Sequence, residues 1–281
     1  MRVNTRALTS GLRYLLACAG LVCIPSVTVC GTELKPTTAQ AFQEYVTKME
    51  TRMQGDIDDP GRFLQIDKLP DAQKATIISR LRNGEVVVQP ITTIDHETPD
   101  VPGGLVHHWL AIAFMPGVTA GQVLQFSQNY SRYGDLYKPD VQYAKILSRQ
   151  GEHFQVYYRF YRHAIVTVIY NTEFAIDYFT PENSRNYSQA HSIRIAEVQN
   201  PGKPNEKEHP VGNDHGYMWR LNLYSRCVER DGGVYVQVEF LALSRTVPAI
   251  FAWLVNPYMR SIPQEYLKHY LEATRAGLSH P

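Results

Sequence analysis

The feature that most constrains this 281-residue chain is a long run of strand-like segments joined by short turns. After Gly84 the chain is rich in β-branched and aromatic residues, and turn-forming groups such as Asp231-Gly232-Gly233 interrupt it. The predicted strands are Glu85–Ile94, Leu105–Met115, Val141–Arg149, Phe154–Arg162, Ile165–Asn171 running on to Phe174–Phe179, Tyr187–Gln199, Tyr217–Val228 and Val234–Arg245. Because short links join antiparallel neighbours, whereas parallel strands need long crossovers, the sequence predicts an antiparallel sheet.

Helical patterns lie before, within and after the strands. Apolar residues spaced three and four apart predict amphipathic helices. The first pattern, Phe42, Tyr45, Val46, Met49 and Met53, ends near Gly55, and further helices are predicted over Asp71–Asn83, Thr119–Gln128, Tyr130–Lys138 and Pro263–Gly277. The last helix has a buried stripe of Tyr266, Leu267, Tyr270 and Leu271. The fold class predicted is therefore α+β.

The order from residue 105 is one strand, two short helices, about six antiparallel strands and a long helix. With the strings Phe114-Met115-Pro116-Gly117-Val118-Thr119, Tyr130-Ser131-Arg132-Tyr133, Ser192-Ile193-Arg194-Ile195-Ala196-Glu197-Val198, Trp219-Arg220-Leu221-Asn222-Leu223-Tyr224, Asp231-Gly232-Gly233-Val234-Tyr235 and Leu243-Ser244-Arg245, this order resembles the helix-grip fold of the START-like (SRPBCC) superfamily. That superfamily includes polyketide cyclases, aromatase-type domains and lipid-transfer domains. The resemblance covers about residues 105–278. More narrowly it is to a group of exported bacterial proteins, for which no defined activity is implied.

The resemblance implies a curved sheet wrapped around the C-terminal helix, with an elongated apolar cavity between them. An empty apolar cavity destabilises a protein in proportion to its volume, so a large cavity implies an occupant. A sixteen-carbon chain buried there would gain about 12 kcal/mol before ordering costs, at ~0.8 kcal/mol per methylene. The expected partner is a hydrophobic small molecule, such as a lipid or a polycyclic or aromatic compound.

The first 31 residues have the layout of a secretory signal peptide. Arg2, Arg6 and Arg13 precede an apolar run from Tyr14 to Val29 that Pro25 interrupts. A membrane-spanning helix needs about 20 apolar residues, so this shorter run favours export to the periplasm or medium over a retained membrane anchor. Removing the segment takes three arginines and no acidic residue, which changes the net charge from +1 to −2. Cys227 then remains as the single cysteine, and we expect it to be a passive buried thiol.

The predicted organisation has three parts: a signal peptide over 1–31, an N-terminal helical extension with a leading strand over 32–104, and the START-like domain over 105–281. The near balance of 28 Lys and Arg against 27 Asp and Glu excludes the concentrated positive charge that nucleic-acid binding needs. The apolar stretch Val247–Val255 has two interpretations: it covers one end of the core, or it contacts a membrane transiently during lipid exchange. The oligomeric state is not predicted.

The candidate ligand-binding residues are polar side chains on neighbouring strands. Arg220, Asn222 and Tyr224 share one strand face with Arg226, since side chains alternate with period two. Glu239 on the next strand is expected near them across the ladder, and Arg194 on the preceding strand could join. Two interpretations stay open: a polar patch inside the cavity that holds a carboxylate, phosphate or keto group, or a solvated convex face with cross-strand ion pairs.

Function is predicted mainly from the resemblance, since catalytic motifs are missing. There is no GxSxG, GxGxxG, P-loop or HExxH pattern, so we expect no cofactor, no metal and no catalytic residue set. His107 and His108 are adjacent in a strand and therefore point to opposite faces, and His209, Asp214 and His215 share the polar loop 200–216. The favoured hypothesis is a carrier, transfer or sensing protein. The alternatives are a cyclase, dehydratase or hydrolase that uses Arg194, Arg220, Glu239 and tyrosines, and an interaction module that recruits a partner through 36–83.

Overall fold

A nine-stranded antiparallel sheet forms the centre of the fold. The structure is a computed structural model that describes residues 32–91, 99–163, 167–246 and 249–279, and of 249–261 the backbone only. The strands are β1 (Thr32–Glu33), β2 (Val87–Pro90), β3 (Gly104–Pro116), β4 (Val141–Gln150), β5 (His153–His163), β6 (Thr167–Glu182), β7 (Arg185–Gln199), β8 (Lys207–Glu208), β9 (Asn213–Asp214), β10 (Arg220–Arg230) and β11 (Gly233–Arg245). The sheet order is β2-β3-β11-β10-β7-β6-β5-β4, β8 pairs with β7, and β1 and β9 form a separate pair.

The β10–β11 hairpin shows how local sequence sets the register. Arg230 pairs with Gly233, and the two residues between them, Asp231 and Gly232, both have positive φ, of 58° and 79°. Positive φ at both central positions defines a type I′ turn, whose twist matches that of the strands it joins. Gly233 is required for packing, because a Cβ there would lie 2.3 Å from the carbonyl oxygen of Met115 on β3.

One face of the sheet packs against the C-terminal helix α5 (Ala249–Ser279) and two short helices, α3 (Ala120–Ser127) and α4 (Tyr133–Leu136). Thr119 caps α3 as predicted: its hydroxyl accepts from the backbone of Gln122, whose side chain in turn accepts from the backbone of Thr119. Val234, Val236 and Val238 of β11 belong to the same core as Leu267 and Leu271 of α5. We call this the inner face.

Helix α5 begins earlier than the sequence predicted. It starts at Ala249 rather than Pro263, so most of the apolar stretch Val247–Val255 is helical backbone rather than a connection. Residues 247–248 and the side chains of 249–255 lie outside the described part. The membrane-contact interpretation of this stretch therefore stays a prediction. Among the described residues, no helix combines the length and apolarity needed to cross a membrane.

The other face of the sheet is covered by the N-terminal segment. It consists of α1 (Pro36–Asp58), two 3₁₀ turns (Pro60–Arg62 and Gln65–Lys68) and α2 (Asp71–Arg82). The predicted stripe of α1, including Met49 and Met53, packs with Leu241 and Leu243 of β11. The segment after α1 packs with Tyr235 of β11. Because residues 235, 241 and 243 alternate with 234, 236 and 238, this is the opposite, outer face.

The architecture is thus helix-grip α+β, as predicted, with an added helical layer on the outer face of the curved sheet. Residues from Gly31 to Pro281 form one compact unit. The signal-peptide prediction for 1–31 and part of the predicted strand Glu85–Ile94 fall on residues outside the described ranges. The predicted division at residue 104 remains a prediction.

Candidate functional site

A cavity of about 80 Å³ lies between the inner face of the sheet and α5. Its wall is mainly aromatic, with a few serines and one charged end. Seven tyrosines line it: Tyr130, Tyr133, Tyr137, Tyr158, Tyr178, Tyr266 and Tyr270. These come from the α3–α4 region, from β5 and β6, and from α5, so the cavity lies where three parts of the chain meet.

Hydrogen bonds hold several of these rings in place. The Tyr130 and Tyr178 hydroxyls are 2.5 Å apart, and Tyr178 also donates to the carbonyl of Ser127 over 3.1 Å. Tyr133 donates to the same carbonyl over 2.6 Å, which satisfies a backbone acceptor at the end of α3. Tyr137 stacks on Tyr270 with ring centroids 4.9 Å apart. The wall is therefore an ordered aromatic surface rather than a loose set of rings.

The phenols of this wall are neutral at physiological pH. Burial raises the pKa of Tyr270 to about 12, and burial likewise raises the pKa of Tyr133, Tyr137 and Tyr158 well above its usual value. A protonated phenol donates a hydrogen bond but cannot act as a base. The wall can therefore contact aromatic rings and donate to a hydroxyl or keto oxygen of a ligand.

The charged end of the cavity is formed by Asp140 and His269. Nδ1 of His269 lies 2.8 Å from one carboxylate oxygen of Asp140, and the guanidinium of Arg162 donates to the other oxygen over 2.5 Å. Arg162 also donates to the carbonyl of Ile262 and so ties β5 to α5. Since an ionised carboxylate only accepts, His269 donates from Nδ1 and keeps Nε2 as an acceptor.

Sequence reasoning missed this pair. Asp140 directly follows Pro139 at the end of the predicted second short helix, and His269 is a single histidine within the stripe of α5. The available signal was weak: a histidine adjoining Tyr266 and Tyr270 on the helix expected to close the cavity.

The size of the cavity differs from expectation. An engineered apolar cavity of about 150 Å³ holds one benzene molecule, so about 80 Å³ is far too small for a sixteen-carbon chain. Aromatic side chains such as Phe160 and Phe174 fill most of the space between the sheet and α5. The expected elongated hollow is therefore present only as a small aromatic cavity.

The predicted ligand-binding residues do not line this cavity. Arg220, Asn222 and Tyr224 share one face as predicted, and Tyr224 lies directly opposite Glu239 in the register. That face is the outer one, since the residues between them, such as Leu221 and Leu223, pack in the inner core. The inward orientation that the enzyme hypothesis required of Arg220 and Glu239 is thus wrong.

The solvated alternative for this face is wrong as well, because α1 covers it. Glu239 is fully buried, and the guanidinium of Arg52 from α1 donates to it. Nε2 of His108 lies 2.7 Å from the same carboxylate, and Nδ1 of His108 lies 2.8 Å from the hydroxyl of Tyr45. Arg226 is 3.4 Å from the second oxygen of Glu239. Burial raises the pKa of Glu239, but the bond from His108 and the charges of Arg52 and Arg226 outweigh it and lower the pKa to about 2.

The network extends along α1. Asp56 is buried, 2.7 Å from the Lys68 ammonium and 3.6 Å from Arg226. Beside it, the hydroxyl of Tyr224 donates to Glu50 over 2.8 Å. Asn222 is buried next to Tyr224, with its amide nitrogen 3.4 Å from that hydroxyl. These side chains attach the N-terminal segment to the sheet, and no cavity lies among them that could hold a ligand of appreciable size.

Arg194 and Arg220 lie apart from Glu239. Arg194 pairs with Glu208 of β8, and that carboxylate also accepts from Asn171 over 2.8 Å. Arg220 is half-buried and donates to the carbonyl of Trp219, and burial lowers the pKa of its guanidinium. The structure therefore does not bring the five predicted residues together in one site.

Two smaller predictions concern single residues. Cys227 is buried on the inner face, as expected, and burial raises the pKa of its thiol to about 12. His107 and His108 do point to opposite faces: His107 lies 2.9 Å from the Ser244 hydroxyl, whereas His108 binds Glu239.

Comparisons with known proteins give structural matches only. Neither the protein-family models nor the curated proteins contain a match. Among solved structures, a STAR-related lipid transfer protein from Xanthomonas axonopodis is 15% identical, with 65% of this chain and 97% of that chain covered and a TM-score of 0.45. An aromatase/cyclase from Streptomyces sp. R1128 is 10% identical, with 62% and 94% covered and a TM-score of 0.44. Human STARD10 is 13% identical, with 73% and 80% covered and a TM-score of 0.37.

These matches include the START and aromatase/cyclase proteins that the sequence resembles. At such low identities and TM-scores, what their names say about lipids or aromatic compounds describes those proteins alone.

Proposed function

We propose that the protein binds a hydrophobic small molecule of aromatic or polycyclic type in the cavity under α5, as a carrier, transfer protein or sensor. The observation that carries this proposal is the wall of seven tyrosines. Flat aromatic ligands gain from offset stacking and edge-to-face contacts with such rings, whereas an acyl chain gains only from area. The neutral hydroxyls supply donors for a keto or phenolic oxygen.

Ligand binding has to enlarge the cavity. A volume of about 80 Å³ is roughly half of what one benzene ring occupies. Aromatic side chains contributed by α5, such as Tyr266 and Tyr270, must therefore move when a polycyclic ligand enters. Their displacement costs part of the binding free energy, so we expect moderate affinity.

The test uses a substitution that fills the cavity. Ser225 lines the cavity, and Ser225→Leu places a branched side chain into it. Ser148 is exposed on β4, so Ser148→Leu is the matched control. We expect a naphthalene-based fluorescent probe to bind the full chain, to bind Ser225→Leu at least tenfold more weakly, and to bind the control unchanged. Equal affinities in all three proteins would place the binding elsewhere and refute the proposal.

The natural ligand can be sought directly. The protein is purified from its own source without detergent, extracted with organic solvent, and the extract is analysed by mass spectrometry. We expect an aromatic compound in stoichiometric amount. Recovery of acyl lipids instead would retain the cavity and refute the aromatic specificity.

A second candidate function, acid–base chemistry on a bound ligand, is favoured by the His269–Asp140 pair. Asp140 orients the imidazole and leaves Nε2 free as a base at the edge of an aromatic cavity. If this function holds, the wild-type protein converts the extracted compound, while His269→Gln binds it with similar affinity but leaves it unchanged. A ligand that the wild-type protein leaves unaltered after long incubation supports the carrier function.

Export is proposed from the first 31 residues. The basic flank, the short apolar run and the small residues near Val29 support cleavage there. The intact mass of the protein from periplasm or medium tests this proposal. We expect a chain that lacks about 31 residues, and a full-length mass in the membrane fraction would indicate the uncleaved anchor instead.

A further inference from the structure

Two buried carboxylates on the outer part of β7 and β9 have no cationic partner from lysine or arginine. Glu197 is 5% exposed and Asp214 is 1% exposed. Within the described ranges, no lysine or arginine nitrogen lies within 4.0 Å of either carboxylate, and the single charged partner of Glu197 is His215. A buried carboxylate without a compensating charge is costly, so this pair requires an explanation.

The other buried carboxylates provide the contrast. Glu239 has Arg52 and Arg226, Asp56 has Lys68, and Asp140 has Arg162. In each of these cases at least one permanently charged side chain neutralises the acid. At Glu197 and Asp214 the neighbouring side chains that can carry positive charge are imidazoles instead.

The loop between β7 and β10 brings two histidines onto Glu197. Strand β8 pairs Glu208 with Val198, so His209 falls opposite Glu197, and its backbone N–H donates to the Glu197 carbonyl over 2.8 Å. The chain then turns back, and both the backbone N–H and Nδ1 of His215 bind the Glu197 carboxylate, at 3.2 Å and 2.5 Å. One ligand atom each from Glu197, His209 and His215 lies within 4.8 Å of the others.

We propose that Glu197, His209 and His215 form a binding site for a divalent transition-metal ion of the zinc class. Two imidazoles and one carboxylate are ligands that Zn²⁺ prefers, whereas Mg²⁺ and Ca²⁺ prefer oxygen ligands alone. The ion supplies the positive charge that Glu197 and Asp214 otherwise lack, and it fixes the loop 200–216 against the sheet. Three protein ligands leave a fourth position for water on the side where His215 is partly exposed.

The geometry needs only a small closure. Zinc bonds of about 2.0–2.1 Å in a tetrahedron hold the ligand atoms about 3.4 Å apart, so the present separations shorten by at most about 1.4 Å. Gln199 is placed to orient one ligand, since its side-chain amide lies 2.7 Å from Nδ1 of His209. With the amide oxygen accepting from Nδ1–H, Nε2 of His209 is left with a lone pair for the metal.

The experiment measures zinc binding by the full chain without a histidine tag. The protein is stripped with a chelator, dialysed, and titrated with Zn²⁺ and, separately, Mg²⁺ by isothermal titration calorimetry. The variants are His209→Gln, His215→Gln and Glu197→Gln. His153→Gln is the control, because His153 is an exposed histidine paired with an exposed aspartate, Asp177. Thermal unfolding with and without Zn²⁺ provides the second measurement, since a ligand of the folded state raises Tm.

We expect one equivalent of Zn²⁺ to bind to the wild-type protein and to the control, and no saturable binding of Mg²⁺. We expect at least tenfold weaker Zn²⁺ binding, and no Zn²⁺-dependent rise in Tm, in the two histidine variants. These two decide the question even if Glu197→Gln does not fold, because both histidines are partly exposed in a loop. No saturable zinc binding by the wild-type protein, or wild-type affinity in both histidine variants, would overturn the proposal.

Discussion

Replacing Glu239 by glutamine tests the charge network under α1. The substitution keeps the shape of the side chain but removes the charge that faces Arg52 and Arg226. The pKa of Glu239 is lowered from 4.5 to about 2, a difference of 2.5 units. At about 1.4 kcal/mol per unit, the ionised carboxylate contributes about 3 kcal/mol to the free energy of unfolding at pH 7. Removing one partner of a buried ion pair costs about 3–5 kcal/mol in general, which agrees.

The dependence on pH has a definite sign. A carboxylate with a lowered pKa in the folded state stabilises the protein above its unfolded-state pKa, near 4.5, and loses this effect as the pH falls towards 2. We expect Glu239→Gln to be about 3 kcal/mol less stable than wild type at pH 7, but only about 1.4 kcal/mol less stable at pH 3, by the same linkage relation. Urea unfolding followed by circular dichroism at both pH values measures the two differences.

An exposed ion pair on a neighbouring strand supplies the control. Glu182 pairs with Arg185 at the surface, so Glu182→Gln should cost less than about 1 kcal/mol at either pH. The reasoning is refuted if Glu239→Gln costs less than about 1 kcal/mol at pH 7, or if its deficit is the same at pH 3 and pH 7.

Three further predictions follow from packing. Cys227 should react with a thiol reagent at pH 8 only after unfolding, because burial raises its pKa to about 12; rapid labelling of the native protein would contradict this. Gly233→Ala should destabilise the protein by about 1–3 kcal/mol or more, since the new methyl meets the Met115 carbonyl, whereas Gly55→Ala has free space in α1 and should stabilise it by about 0.5–1 kcal/mol; urea unfolding measures both. A chain without residues 36–83 should fail to fold, as judged by circular dichroism, and a soluble folded product would restore the interpretation of this segment as a removable partner-binding module.

The strands and the hairpin turn were predictable because each is encoded locally. Alternation over Arg220–Arg226 grouped the correct side chains on one face, and Asp231-Gly232 marks a turn that few other dipeptides can form. The order of strands and helices was then enough to indicate the helix-grip architecture.

The face of the sheet on which a strand residue lies was not predictable from that alternation. Period two separates the side chains into two sets, but it does not state which set the C-terminal helix covers. A signal for the outer cover did exist in α1: Arg52 and Asp56 lie beside the apolar stripe that contains Met49 and Met53. Charges so close to a buried stripe indicate that the surface opposite carries buried charges too, and Glu239 and Arg226 are those charges.

The two faces of the sheet are stabilised by different interactions, and this determines where a ligand can enter. On the outer face, Glu239 and Asp56 make directional ion pairs that leave each partner charge uncompensated if α1 moves. On the inner face, α5 meets the sheet largely through aromatic and aliphatic contacts, which are non-directional and can be remade in another arrangement. Enlarging the cavity therefore costs less if α5 and its tyrosines shift than if the N-terminal layer does. Hydrogen exchange on the full chain should accordingly show faster opening of α5 than of α1, and the reverse order would contradict entry from the α5 side.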